Sequence, residues 1–418
     1  MRVRHAFGPT AVGVAVLLLA ALAPAALASG GDLDVTFGGD GKVHTQWPTA
    51  DAWGTDVAVQ PDGAIVVVGG AGGKFALARF GPHGALDTSF GGDGKVRTKF
   101  RGEAQAGGVA VQPDGAIVVV GRAGGQFALA RHKRHGALDT SFGGDGKVRT
   151  EFWLGDAGAV DVAIQPDGKI LVAGSTAGEW AVARYEADGT LDTSFGRDGK
   201  VRTDFTSGPD NASALVIQSD GKIVVVGRAG YRGFALARYR RGGSLDSSFG
   251  DEGKVRTFFG SLDSVRASAD GVAIQEDGKI VAAGWAGGNY VRVALARYEV
   301  NGTLDTSFGG DGRVRTDFGD SAEAASDVAI QANGKIVIAG MAAYYKVFAL
   351  ARYLTNGSLD RSFGTGGKVT TEFDAGDAWA DALAMQAGGK IVAVGTLGDA
   401  SAGGIAPGDF ALARYLLN

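Results

Sequence analysis

The chain contains no cysteine, so neither a disulfide nor a lipid-modified cysteine is available, and stability outside the cell has to come from packing and closure. Histidine is scarce. Beyond residue 28 only His44, His83, His132 and His135 remain, three of them in or beside stereotyped turns, and no metal-ligand spacing, nucleophile motif or phosphate-binding loop stands out. Basic charge is also short: 41 Lys and Arg face 45 Asp and Glu, for a net charge of −4. Loss of Arg2 and Arg4 would take it to −6, a balance that argues against a phosphate-binding surface and so against nucleic acid as a partner. Long apolar runs are confined to the first 28 residues, so no membrane span is expected in the mature protein.

Those 28 residues read as a secretory signal. Arg2 and Arg4 give a positive start, AVGVAVLLLAALA is the apolar stretch, and Ala26-Leu27-Ala28 before Ser29 is a small-residue cleavage site. The apolar run is short for a bilayer-spanning anchor. The expected mature protein is residues 29–418, secreted and extracellular.

What the chain has in abundance is repetition. Close copies of LDTSFGGDGKVRTKF start at Leu33, Leu86, Leu138, Leu191, Leu245, Leu304 and Leu359, at spacings of 53, 52, 53, 54, 59 and 55 residues. A period of this size marks a stacked or circular array of one supersecondary unit, so one domain is expected where length alone would give two or three. The 71 glycines then read as turns between apolar strand patterns.

Each repeat carries four strand-like runs, seen in the second as Lys95 to Phe100, Gly108 to Gln112, Ala116 to Gly121 and Gln126 to Arg131. VRTKF alternates as a half-buried strand does, and AIVVV is apolar throughout, as suits a strand covered on both faces. Four antiparallel strands repeated seven times predict an all-β, seven-bladed β-propeller with VAIQ innermost and KVRTxF outermost. In that phase the last unit ends one strand short, and Val43 to Trp47 should complete it, closing the ring with the N-terminal strand.

LDTSFGGDGKVRT, VAIQPDGKIVVVG and FALARY together resemble the bacterial delta-60 repeat family across essentially the whole mature chain. The resemblance implies β-propeller units and brings no established activity. Departures sit in single turns: His44 and Trp47 in the first copy, Asp251-Glu252-Gly253 in the fifth, Thr365-Gly366-Gly367 and Ala387-Gly388-Gly389 in the last.

Recurring polar residues read as structural. Arg79 with Asp87, Arg131 with Asp139, Arg184 with Asp192, Arg238 with Asp246, Arg297 with Asp305 and Arg352 with Asp360 are each eight residues apart, and Arg414 with Asp34 is the leftover pair. Each should form an ion pair across its turn, the last joining the chain ends. Asp40, Asp93, Asp145, Asp198 and Asp311 in GGDG segments could suit calcium, but a turn held by its own aspartate explains them as well; no cofactor is expected. Gln60, Gln112, Gln165, Gln218, Gln275, Gln331 and Gln386 should satisfy groups near the hub.

The two stereotyped links of each unit share one face of an antiparallel blade and the two variable links share the other. That variable face is the candidate site. Trp47 and Trp180 replace strand phenylalanines and count as core. Trp53, Trp153, Trp285 and Trp379, with Tyr231, Tyr290, Tyr344 and Tyr345, fall in the variable links and are the candidate ligand-binding residues, suited to stacking on sugar rings or anchoring a protein; packing over strand ends is the alternative role. Asp51, Asp56, Asp156, Asp161, Asp263, Asp270, Asp320, Asp327, Asp377 and Asp381 share these links, and several could ring the channel mouth. The sequence therefore points to a monomeric binding or scaffold module for an extracellular glycan or protein. The runner-up is a hydrolase or lyase using channel-mouth carboxylates, with calcium as its one candidate metal.

Overall fold

The structure, a computed structural model, describes residues 29–48, 52–152, 155–206, 208–230, 232–260, 265–319, 322–399 and 406–417. Among them every regular element is a strand, and the 28 strands form five four-stranded sheets and one eight-stranded sheet, in which the first and last groups of four are joined where Ala52 pairs with Gly408. In the first unit Ala52–Val59, Ile65–Ala71, Phe75–Phe80 and Lys95–Thr98 pair antiparallel in that order. The order recurs in the units that begin at Ala104, Ala157, Asn211, Arg266 and Ala324. The seventh unit comprises Asp377–Gln386, Lys390–Asp399 and Ala406–Leu416, and its fourth strand is Lys42–Thr45 from the other end of the chain. Lys42 lies opposite Ala413 and Thr45 opposite Phe410.

The apolar second strand explains how units stack. Ile65 and Val67 pack with Val392, Val394 and Leu412 of the seventh unit, while Val66 and Val68 pack with Ile117 and Val119 of the second. Both faces of IVVV are thus covered, which is why the run lacks a polar face. An aromatic pair closes the variable edge of most units, as in Phe75–Phe100 and Trp180–Phe205 with ring centroids 4.7 and 4.6 Å apart. Trp47 and Trp180 are core residues. The first glycine of each SFGG turn is obligatory: Gly91 has φ +64°, and a Cβ there would lie 2.3 Å from the Lys95 carbonyl oxygen.

The inner strands are longer than the sequence pattern predicts. The second unit's begins at Ala104, not Gly108. A β-bulge between Ala106 and Gly108 shifts the register by one residue, and the extra residue breaks the period-two pattern that would have revealed the strand's first half. The same bulge recurs in every unit.

Candidate functional site

Each stereotyped link is built around one arginine. Arg184 donates Nε to Asp192 at 2.7 Å and Nη2 to Ser194 at 3.2 Å, directs Nη1 to the Arg241 carbonyl of the next unit, and lies 4.7 Å over the Phe195 ring. Arg79–Asp87, Arg131–Asp139, Arg238–Asp246, Arg297–Asp305 and Arg352–Asp360 repeat the ion pair at 2.7 to 2.9 Å. Arg414 and Asp34 form it at 2.9 Å, with Thr36 in place of the serine, and Arg414 reaches the Pro82 carbonyl of the first unit. Each guanidinium therefore staples its unit to the next.

Five units add a lysine. Lys169, Lys222, Lys279, Lys335 and Lys390 reach the clamp aspartate at 2.6 to 3.2 Å; Ala64 and Ala116 take this place in the first two units. There the Asp87 and Asp139 side chains are 28% and 18% exposed, against at most 7% elsewhere. Burial alone would raise the pKa of Asp192, but hydrogen bonds from Lys169 and Ser194 and the adjoining arginine outweigh it and hold the carboxyl well below its usual range.

The GGDG aspartates serve their own turns. Asp40, Asp93, Asp145 and Asp311 each accept the backbone N–H two residues on, at 2.9 to 3.0 Å, and Asp198 pairs with Lys200. Among the described residues no three Asp, Glu or His side chains converge closely enough to hold a metal ion. The glutamines are less well served than their position predicts. Gln386 donates to the Gly63 carbonyl, yet the side-chain oxygens of Gln60, Gln112, Gln165, Gln218 and Gln331 have no protein partner.

At the bulges the inner strands carry carboxylates, within the strands and not ahead of them. Asp161 accepts the N–H of Val162 and, across the unit boundary, of Leu215, both at 2.7 Å. Asp56 bridges to Val109 and Asp327 to Leu383 in the same way. The receiving units have Gly108, Ala214 and Ala382 at the equivalent position, so a carboxylate meets a small residue each time. Asp270 and Asp381 are the extra residues of their own bulges. All five keep some solvent contact yet are enclosed by the surrounding strands. Burial pushes Asp161 and Asp270 up to about 6, Asp327 to about 7 and Asp381 to about 8. Burial also raises Asp56 well above its usual value, and the charges of Asp161 and Asp327 add to the effect.

On the variable face the aromatic residues divide. Tyr290, Tyr344 and Tyr345 are 66%, 58% and 39% exposed on turns between second and third strands. Trp379 is a correction: it lies inside Asp377–Gln386, only 7% exposed, with Tyr345 edge-on at 6.0 Å. Trp53 and Trp285 also belong to strands and are half-buried. The strand extensions beyond the bulge draw all three in. Trp153, Tyr231, Asp51, Asp263 and Asp320 lie outside the described residues.

At the variable end, the two innermost strands of each unit place one facing pair: Trp53 with Gly70, Gln105 with Arg122, Gly158 with Ser175, Asn211 with Arg228, Ser268 with Trp285, Ala324 with Met341 and Trp379 with Thr396. All seven pairs differ, in a chain whose strands are otherwise near copies. A cleft of about 550 Å³ opens beside the first two. A larger one of about 790 Å³ lies on the stereotyped face between units 5 and 6, lined by Gln275, Asp277, Lys279 and Gln331 among others. Sequence reading passed over Arg122 and Gln105 because the unseen bulge hid that they stand opposite each other. The clamp serine and phenylalanine were visible as part of TSFGG but had no pairing signal.

Residues 60–90, 112–142, 165–195, 218–249, 275–308 and 331–363 match a family model described as a domain of unknown function (DUF5122) beta-propeller. Each match runs from the inner-strand glutamine to the clamp phenylalanine and leaves out the link from outer to inner strand. No curated protein matches the chain. Among solved structures, virginiamycin B lyase from Staphylococcus aureus is 9% identical, with 90% of this chain and 99% of that chain covered at a TM-score of 0.55. A streptogramin B lyase is 12% identical, covering 90% and 97% at 0.55, and YCF48 bound to D1 peptide is 11% identical, covering 93% and 98% at 0.51. At these identities the likeness is one of fold. Six in-register matches to a propeller model, on four-stranded antiparallel units without a helix among the described residues, make this chain a β-propeller repeat protein.

Proposed function

We propose that the chain is an exported, seven-bladed, ring-closed propeller that binds an extracellular glycan or protein through its variable face, as a binding or scaffold module. Closure is supported by the pairing of Lys42–Thr45 with Ala406–Leu416 and by the reach of Arg414 to Pro82. Export rests on residues 1–28, which lie outside the described residues.

One observation carries the binding reading. Ala343, Tyr344 and Tyr345 have φ of 52°, 57° and 68°, three successive left-handed residues without glycine, at a cost of about 1 kcal/mol or more each. Such strain persists where surrounding structure enforces it and clusters at ligand sites; here it projects two exposed tyrosines. Capture from cell-surface extracts and a glycan array should show a partner for the mature protein that Tyr344→Ala/Tyr345→Ala loses. An unchanged partner in that variant would refute the role of this turn, and no partner in either screen would refute binding.

A second reading, a hydrolase or lyase at the channel mouth, draws on Asp327 and Asp381, whose carboxyls hold a proton near neutral pH as a general acid requires. Cleavage of a glycan that Asp381→Asn abolishes would favour it over simple binding.

A further inference from the structure

We propose that the variable-face cleft beside the first two units is a binding site for a neutral oligosaccharide. This rests on the binding reading above and gives it a place and a ligand class. The cleft is lined by Trp53, Glu103, Gln105, Arg122 and Asp156, and its volume of about 550 Å³ is that of a small-molecule site.

The platform is Trp53. Its cross-strand partner is Gly70, where every other unit has a side chain, and a Cβ at Gly70 would lie 2.5 Å from the indole ring. Glycine here is what lets the indole lie against the neighbouring strand. The indole Nε1 is left without a protein hydrogen-bond partner. An aromatic surface of this kind takes the C–H face of a pyranose, burying apolar area that hydroxyl-rich ligands otherwise keep wet.

The polar groups beside it match the rest of a sugar. Arg122 holds Asp156 at 2.6 Å while the two side chains remain 56% and 63% exposed, so each fixes the other and keeps spare donors or acceptors for hydroxyls. Gln105, opposite Arg122, adds an amide that can both donate and accept. The lining carries two carboxylates, Glu103 and Asp156, and the Arg122 guanidinium, with the Arg149 guanidinium against Gly124, a near-neutral balance that gives no pull on uronate or phosphate polymers and suits a neutral chain. The larger cleft between units 5 and 6 has no aromatic lining residue and offers no such platform. The exposed tyrosine turn sits in unit 6, on separate elements, so the two can be tested apart.

The test is calorimetric titration of the mature protein with cellohexaose, xylohexaose, mannohexaose and chitohexaose. At least one should bind saturably. Trp53→Ala should weaken it at least tenfold and Arg122→Ala three- to tenfold, with Trp53→Phe retaining part of the affinity. Arg122 is exposed, so that variant keeps the test valid if Trp53→Ala fails to fold. No saturable binding of any of the four sugars, or binding that both cleft variants leave within twofold, overturns the site. Loss of sugar binding in Tyr344→Ala/Tyr345→Ala with both cleft variants intact also overturns it, while leaving the wider binding reading standing.

Discussion

Replacing Phe80 with tyrosine should stabilise the protein across the seam where the chain ends meet. In units 3 to 7 the tyrosine that ends the third strand hydrogen-bonds the threonine that ends the outer strand of the preceding unit: Tyr185–Thr150, Tyr239–Thr203, Tyr298–Thr257, Tyr353–Thr316 and Tyr415–Thr371, all at 2.7 to 2.8 Å. His132 does the same to Thr98 at 3.1 Å in unit 2. In unit 1 the residue is Phe80, and the matching Thr45 hydroxyl is buried without a partner. A new hydrogen bond contributes about 1 kcal/mol, and the unpaired buried hydroxyl it would satisfy costs about 1 to 3 kcal/mol. Unfolding entropy of roughly 2 cal/mol/K per residue makes 1 kcal/mol worth only about 1 °C in a chain of this length, so scanning calorimetry with replicates is the assay. Phe80→Tyr should raise Tm by about 1 to 2 °C. Thr45→Val alone should also raise Tm, by removing the unpaired buried hydroxyl, and combined with Phe80→Tyr it should fall short of the sum of the two gains, a coupling of about 1 kcal/mol. Thr150→Val, which strips a partner from Tyr185, should lower Tm. An unshifted or lowered Tm in Phe80→Tyr, or strict additivity with Thr45→Val, would refute the pairing of unit 1 with the N-terminal strand.

Three further outcomes are expected. Asp192→Asn leaves a buried Arg184 and a partly buried Lys169 beside a neutral amide and should cost about 3 kcal/mol, whereas Asp87→Asn, at a more open clamp without a lysine, should cost about 1 kcal/mol by chemical denaturation. The hub aspartates have folded pKa values above their unfolded ones, so their contribution is full below about pH 4 and is lost as pH rises through 6 to 8. His132, held near 4 by burial, acts oppositely, losing its contribution as pH falls below about 6.5. The clamp aspartates lose theirs only below the ordinary carboxylate range. Tm should therefore peak in mild acid and decline toward pH 8.5, and Asp381→Asn should recover about 1 to 2 kcal/mol at pH 8.5 after discounting for solvent in the space it faces, with a markedly smaller gain at pH 5; a Tm flat from pH 5 to 8.5 would contradict this. Tyr344→Gly/Tyr345→Gly should raise Tm by relieving left-handed backbone while abolishing binding, and a lower Tm would show that the turn is not strained.

The scaffold was legible because its residues repeat in register: Arg184 and Asp192 recur eight residues apart in copy after copy, and an array of like units needs them in every one. The phase was legible for the same reason, since one leftover Arg414 and one leftover Asp34 have only each other. The hub and the cleft were not. The bulge adds one residue to each inner strand, so the alternation that would have placed Trp379 inside and Arg122 beside Gln105 is broken where it matters. Burial then converted expected surface aspartates such as Asp327 and Asp381 into proton-holding ones, an effect of enclosure by strands far apart in sequence. Phe80 shows the converse, a single departure from tyrosine whose consequence appears only at Thr45.

The absence of cysteine gives ring closure a direct test. His44 and Ala411 lie opposite each other where Lys42–Thr45 pairs with Ala406–Leu416, and directly opposed antiparallel residues have Cα atoms about 4.5 to 5.5 Å apart, within disulfide reach. In His44→Cys/Ala411→Cys, mild oxidation should consume both thiols within the monomer and raise Tm, because the new bond closes a loop of nearly the whole chain. Thiols that stay free, or that link only separate molecules, would contradict the closed ring.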